Sequence, residues 1–242
     1  MKIEHHNWYS PSLGHDMPIN VYGHYGRPLL VFPCAGGSHH EFEDFGMISA
    51  ISEFIDAGKV KVFSIASIDN QTWLNTNGHP GDRAARHEAY DKYVVHEVAP
   101  FIRNHLGSDW KIALAGNSLG AYHSVNFCLR HPDVFDATIA LAGVYRTNHL
   151  LGDYMDENVY RNSPIHYLGN LEDPWFLDQL RQTKIIICTG QGAWEYPDDA
   201  REIEYLFRAK GIPAWVDFWG HDVNHDWPWW RKMMPHFMPH IV

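Results

Sequence analysis

KIALAGNSLGAYHSV, residues Lys111 to Val125, is the stretch from which the rest of the chain can be read. Lys111 to Ala115 is an apolar run of strand length, and from Ala121 onward the apolar residues take helical spacing. Between them Gly116-Asn117-Ser118-Leu119-Gly120 fits G-x-S-x-G, the pattern of a nucleophile elbow. A strand that turns sharply into a helix forces the central serine into a strained backbone region, and flanking glycines remove the Cβ atoms that would clash there. The serine Oγ then projects above the strand ends, over a helix N-terminus whose free N–H groups suit a developing oxyanion. The plainer alternative is a turn in which Ser118 caps the helix. The strand before, the helix after and the small Ala121 behind the turn favour the nucleophile.

Outward from this turn, apolar β-rich runs alternate with helical segments, the α/β signature. Met17 to Tyr22 and Pro28 to Phe32 read as the first strands, followed by Val60 to Ile65, the 111–115 run, Ala137 to Ala142, Lys184 to Thr189 and Ala214 to Trp219. A helix is expected over 42–54, where Phe42, Phe45, Ile48, Ile51 and Ile55 fall at helical spacing. A longer one is expected over 82–106, with Tyr90, Tyr93, Val94, Phe101 and Ile102 facing inward and a kink or break at Pro100. Shorter helices are expected over 121–130, 176–181, 199–210 and 227–239. This alternation predicts a mostly parallel sheet covered by helices on both faces, with the first one or two strands antiparallel. Ligands of such sheets bind at the carboxyl ends of the strands. Ser118, the Gly36-Gly37 loop, the loop after Thr189 and the loop after Trp219 should converge there. Two stretches without periodicity read as functional: the polar loop 69–80, and 143–171 as a cap or lid.

The chain of 242 residues is 45% hydrophobic and shows no linkers, repeats or low-complexity segments, which suits one domain over 1–242. Its formal charge of -10 argues against a nucleic-acid partner. No apolar run approaches membrane-spanning length, so no membrane partner is expected. Met1 to His6 lacks the apolar core of a secretory signal. Cys34, Cys128 and Cys188 are scattered and read as reduced thiols of a cytoplasmic protein. Cys34, just before the glycine loop, is the one that could react, although a small buried residue is its plainer role. Among 18 histidines, His39-His40-Glu41 and the 221–226 stretch offer ligand atoms. Neither forms a metal motif, so no metal or other cofactor is expected.

A serine nucleophile needs a base, and the base needs an orienting acid. In this architecture the chain order is serine, acid, histidine. The loop after Thr189 reads Gly190-Gln191-Gly192-Ala193-Trp194-Glu195, and the stretch from Gly220 reads GHDVNHDWPWW. GNSLG, GQGAWE and HDWPWW together resemble the esterase branch of the α/β-hydrolases that holds esterase D (S-formylglutathione hydrolase), the enterochelin esterases and the mycolyltransferases. The likeness runs from Ser12-Leu13-Gly14 to the terminal helix. It implies an α/β-hydrolase fold and a triad in which Ser118 is the nucleophile and His225, by the His-Asp-Trp-x-x-Trp ending, the base. His221, which also follows a glycine and precedes an aspartate, stays open as an alternative. Where esterase D has an aspartate shortly after a Gln-Gly pair, this chain has Glu195, one methylene longer but able to accept the same imidazole N–H. Asp198, Asp199 and Glu204 compete for the acid role; the first two suit a helix N-terminus and the third an exposed helical position. The oxyanion donors are expected to be the N–H of Leu119 and, by the resemblance, that of Gly37, with Gly36 next.

These residues lead to the expectation of a serine esterase that acts on a small-molecule carboxylic ester through an acyl-enzyme. Acyl transfer to a sugar or alcohol uses the same groups, and a non-catalytic scaffold that binds a ligand is the reading from another class. Trp227, Trp229 and Trp230 read as packing of the last helix rather than a sugar-stacking wall. A homo-oligomer, most simply a dimer, is the default for quaternary state.

Overall fold

The computed structural model describes residues 1–242. Its strands are Ile3–Ser10 (β1), His15–Tyr22 (β2), Arg27–Phe32 (β3), Val60–Ile65 (β4), Ile112–Asn117 (β5), Phe135–Leu141 (β6), Lys184–Thr189 (β7) and Ala214–Phe218 (β8). They form one sheet in the order β1-β2-β4-β3-β5-β6-β7-β8. β2 pairs antiparallel with both β1 and β4, and every other pairing is parallel. The central strands are covered on both faces, which is why they read as unbroken apolar runs. In β3, Leu29 and Val31 pack with the terminal helix (Trp227–Phe237), while Leu30 and Phe32 pack with the long helical run that begins at Pro80. No helix is long and apolar enough to cross a membrane.

Three expectations need correction. β1 was not foreseen, because its half-covered face carries Glu4, His6, Trp8 and Ser10 rather than an apolar alternation. Trp8 Nε1 and Ser10 Oγ both donate to Glu97, at 3.1 and 2.9 Å, and the Trp8 ring packs on Phe101 at 5.1 Å, so one aromatic and one carboxylate hold this edge. The single helix expected over 42–54 is three short ones, Glu41–Asp44, Met47–Ala50 and Ser52–Asp56. Gly46, at φ 74, breaks the first from the second, and Phe45 turns outward to stack on Trp227 at 4.8 Å. Of the kink or break expected at Pro100, the break is absent and the irregularity takes the form of a change in winding just before it. A π-helical turn, Val94–Val98, links Pro80–Tyr93 to Ala99–Leu106, and its wider spacing accommodates the missing N–H and the ring.

Backbone touches backbone where β5 meets the elbow helix (Leu119–Arg130). A Cβ on Gly116 would lie 2.2 Å from Gly120 O, and one on Gly120 would lie 2.4 Å from Phe32 O. The two glycines therefore set the depth at which the helix starts, and with it the height of Ser118 above the sheet. The 143–171 stretch folds into short helices, Asn148–Leu151, Glu157–Arg161 and Pro164–Gly169.

Candidate active site

Ser118 has φ 56 and ψ -123, a conformation that L-residues adopt at a cost. Its N–H donates to Leu141 O at 2.9 Å, tying the turn to the end of β6. His225 Nε2 lies 2.9 Å from Ser118 Oγ, within reach to accept the hydroxyl proton. Two loops deliver this histidine by zipping together. Gly192 N–H donates to Val223 O at 2.9 Å, His225 N–H to Ala193 O at 3.1 Å, and Ala193 N–H to Asn224 Oδ1 at 2.8 Å. Asp226 then caps the terminal helix through Trp227 N–H at 2.7 Å, and Trp230 from that helix meets the His225 ring edge-on at 4.9 Å. The tryptophans of the HDWPWW ending thus pack: Trp227 and Trp230 belong to the core. His221 is exposed in the turn before.

The Glu195 side chain is fully buried and its Oε2 stands 3.8 Å from His225 Nδ1, an ionic separation rather than a hydrogen bond. Oε2 accepts instead from Thr189 Oγ1 at 3.0 Å. Glu195 Oε1 and His225 Nδ1 are both buried without a partner, so a shift of about 1 Å would satisfy the imidazole. Trp194, at φ 66 and 83% exposed, reverses the chain so that its ring faces solvent while Glu195 turns in. The other acids have other work. Asp198 pairs with Arg201, and Glu204 with Arg208, both on the helix surface. Asp199 is buried and accepts from Tyr145 N–H and Arg146 Nε, each at 2.8 Å, and from His149 Nε2 at 3.2 Å. It anchors the start of the 143–171 stretch, a role no local pattern announced.

On the oxyanion side, Leu119 N–H opens the helix with no acceptor. The Gly37 N–H does not match its expected place, because it donates to Cys34 O at 2.9 Å. Gly36 N–H donates to Asp69 Oδ2 at 3.1 Å, and Cys34 N–H to Glu41 Oε2 at 2.6 Å. Ala35 N–H, between them, has no acceptor, and Ala35 lines the same cavity as Ser118 and Leu119. Glycine content signals close backbone approach but not which amide is left free: those of Gly37 and of the runner-up Gly36 are both engaged, and that of Ala35 is not.

That cavity holds about 180 Å³ and is mainly apolar. Leu74, Ala142, Val144 and Leu150 form its walls, with His149 and Tyr196 beside His225. Of the metal candidates in the sequence, Glu41 is engaged by Cys34 and His39 packs edge-on against His40. Glu4, His6 and His105 do bring ligand atoms within 4.8 Å of one another, at the far edge strand. There Lys2 and Lys61 already face Glu4, at 3.1 and 3.6 Å.

Burial pushes all three thiols well up from the usual range, and the Glu41 carboxylate beside Cys34 adds to the effect there. Iodoacetamide at pH 8 should therefore leave native protein almost unalkylated over an hour and modify three cysteines after denaturation, as intact mass will show. Rapid single alkylation of the native protein would contradict this picture of Cys34.

A sequence search of curated proteins finds no match. Among solved structures, a ferulic acid esterase is 19% identical with a TM-score of 0.78, over 99% of this chain and 96% of that one. The S-formylglutathione hydrolase FrmB of Staphylococcus aureus is 17% identical with a TM-score of 0.74, over 99% and 98%. MPT51 (FbpC1) of Mycobacterium tuberculosis is 17% identical with a TM-score of 0.71, over 100% and 98%. These likenesses establish the α/β-hydrolase fold. The family model described as "Putative esterase" matches residues 10–241, from the end of β1 to the residue before the last. The chain belongs to the Putative esterase family.

Proposed function

We propose that the protein is a serine esterase that hydrolyses a small carboxylic ester. The observation that carries this reading is the 2.9 Å approach of His225 Nε2 to the Oγ of a positive-φ serine. His225 takes the Ser118 proton as Oγ attacks the ester carbonyl carbon. The tetrahedral oxyanion faces the N–H groups of Leu119 and Ala35. Collapse breaks the bond to the alcohol oxygen, which leaves with the proton from His225. Water, deprotonated by His225, then attacks the acyl-enzyme and releases the acid, returning the proton to Ser118. Glu195 holds the imidazole and stabilises its charged form.

An apolar cavity of 180 Å³ takes an acyl group the size of one aromatic ring or a short chain, since a space of about 150 Å³ holds benzene. The 143–171 stretch acts as a cap through Val144, His149 and Leu150. A cytoplasmic setting fits three unpaired cysteines. The test is intact-mass labelling with a fluorophosphonate probe. One adduct is expected on wild type and none on Ser118→Ala of unchanged melting temperature. A folded wild type that takes no adduct overturns the reading.

A further inference from the structure

The Ala35 amide sits in a loop gripped by carboxylates on either side, Glu41 on the Cys34 N–H and Asp69 on the Gly36 N–H. Asp69 is 1% exposed, and its second oxygen, Oδ1, accepts from His123 Nε2 at 3.0 Å. His123 belongs to the elbow helix, five residues beyond Ser118, and is fully buried. Its Nδ1 has no partner, so the bond to Asp69 is the only one this imidazole makes. Phe32, His87, Tyr90 and Tyr122 surround the ring at centroid distances of 5.2 to 5.8 Å. Asp69 also opens the 69–80 loop: its carbonyl accepts from Leu74 N–H at 2.8 Å, and Leu74 lines the cavity.

A carboxylate and an imidazole in an aromatic box are costly to desolvate, and apolar residues of the same volume would pack there at least as well. Stability therefore does not account for the pair. Its geometric effect is to fix the nucleophile helix, the loop of the second oxyanion donor and a cavity wall to one another. Oxyanion donors act only when placed to within a fraction of an ångström of the developing charge. We infer that Asp69 and His123 are positioning residues, which hold the Ala35 amide in register with Ser118. The inference rests on the esterase reading above.

The test compares His123→Leu, which removes the bond, with His123→Gln, whose amide nitrogen can keep it. Asp69→Ala breaks the link from the other side and serves if His123→Leu does not fold. On a p-nitrophenyl ester, both link-breaking variants should lose about 100-fold in kcat with KM within about twofold of wild type. Their affinity for an alkylboronic acid, whose adduct with Ser118 places an oxygen at the oxyanion position, should fall by a similar factor. His123→Gln should recover most of both. Folded link-breaking variants with wild-type kcat and boronate affinity overturn the inference while leaving the esterase reading intact. Equal loss in His123→Leu and His123→Gln also overturns it, since a kept hydrogen bond would then have made no difference. A wild type that neither hydrolyses esters nor binds the boronate overturns the esterase reading itself.

Discussion

His225→Ala is expected to lose about 10⁶-fold in kcat on a p-nitrophenyl ester while melting within a few degrees of wild type. The Ser118 hydroxyl then has no group at 2.9 Å to take its proton, and a neutral serine is a poor nucleophile. Folding should tolerate the change, because the ring is one-fifth exposed and makes no hydrogen bond other than the one to Ser118. Glu195→Gln should fall less, by about 10⁴-fold, since it disturbs the orientation and charge of the imidazole without removing it. His221→Ala should match wild type, as that side chain lies exposed in the turn before the site. The measurement is kcat alongside a thermal melt for all three. A His225→Ala enzyme that keeps more than about 1% of wild-type kcat would remove this histidine from the reaction.

Gly120→Ala is expected to cost about 3 kcal/mol and to lower the melting temperature by about 6–12 °C. On helix propensity alone the change would stabilise by about 1 kcal/mol. The steric effect opposes it and is larger. The new Cβ would sit 2.4 Å from Phe32 O and 2.5 Å from Pro33 O, and neither atom is the end of a flexible side chain. Relief requires the elbow helix and the end of β3 to separate, and Pro33 leads directly into Cys34 and Ala35. Activity should therefore fall with stability, even below the melting point. Thermal melts and ester hydrolysis at 25 °C check both parts. A variant that melts within about 2 °C of wild type would show that the close approach is not rigid.

Much of the fold was legible because strands covered on both faces announce themselves. Val60–Ile65 and Lys184–Thr189 are found with the bounds their apolar runs suggest. β1 was not legible, since its inner face offers one aromatic, Trp8, among Glu4, His6 and Ser10, and the polar groups of Trp8 and Ser10 are received by Glu97, far along the chain. The helix over 42–54 was misread because apolar spacing survives a break that one glycine at positive φ imposes. In the site, Ser118 and His225 stand in motifs with local form, a strand-glycine-helix turn and a residue placed just before a helix cap. The proposed Ala35 donor has no such form; its amide is noticed only because those of Cys34 and Gly36 are bound while its own has no acceptor. Asp199 with Tyr145, and Asp69 with His123, are each pairs 54 residues apart, and no window along the chain contains both members.

The sheet order also governs when the site is assembled during synthesis. β3 and β5 lie at the centre while β7 and β8 are added outward to one edge, so the sheet can widen as the ribosome delivers it. Ser118 is made 107 residues before His225, a gap of about 5–20 s at ordinary elongation rates. Throughout that interval the growing polypeptide carries Ser118 without its 2.9 Å neighbour. The 2.9 Å contact between Ser118 and His225 can therefore form only after β8 and the stretch that follows it have been made.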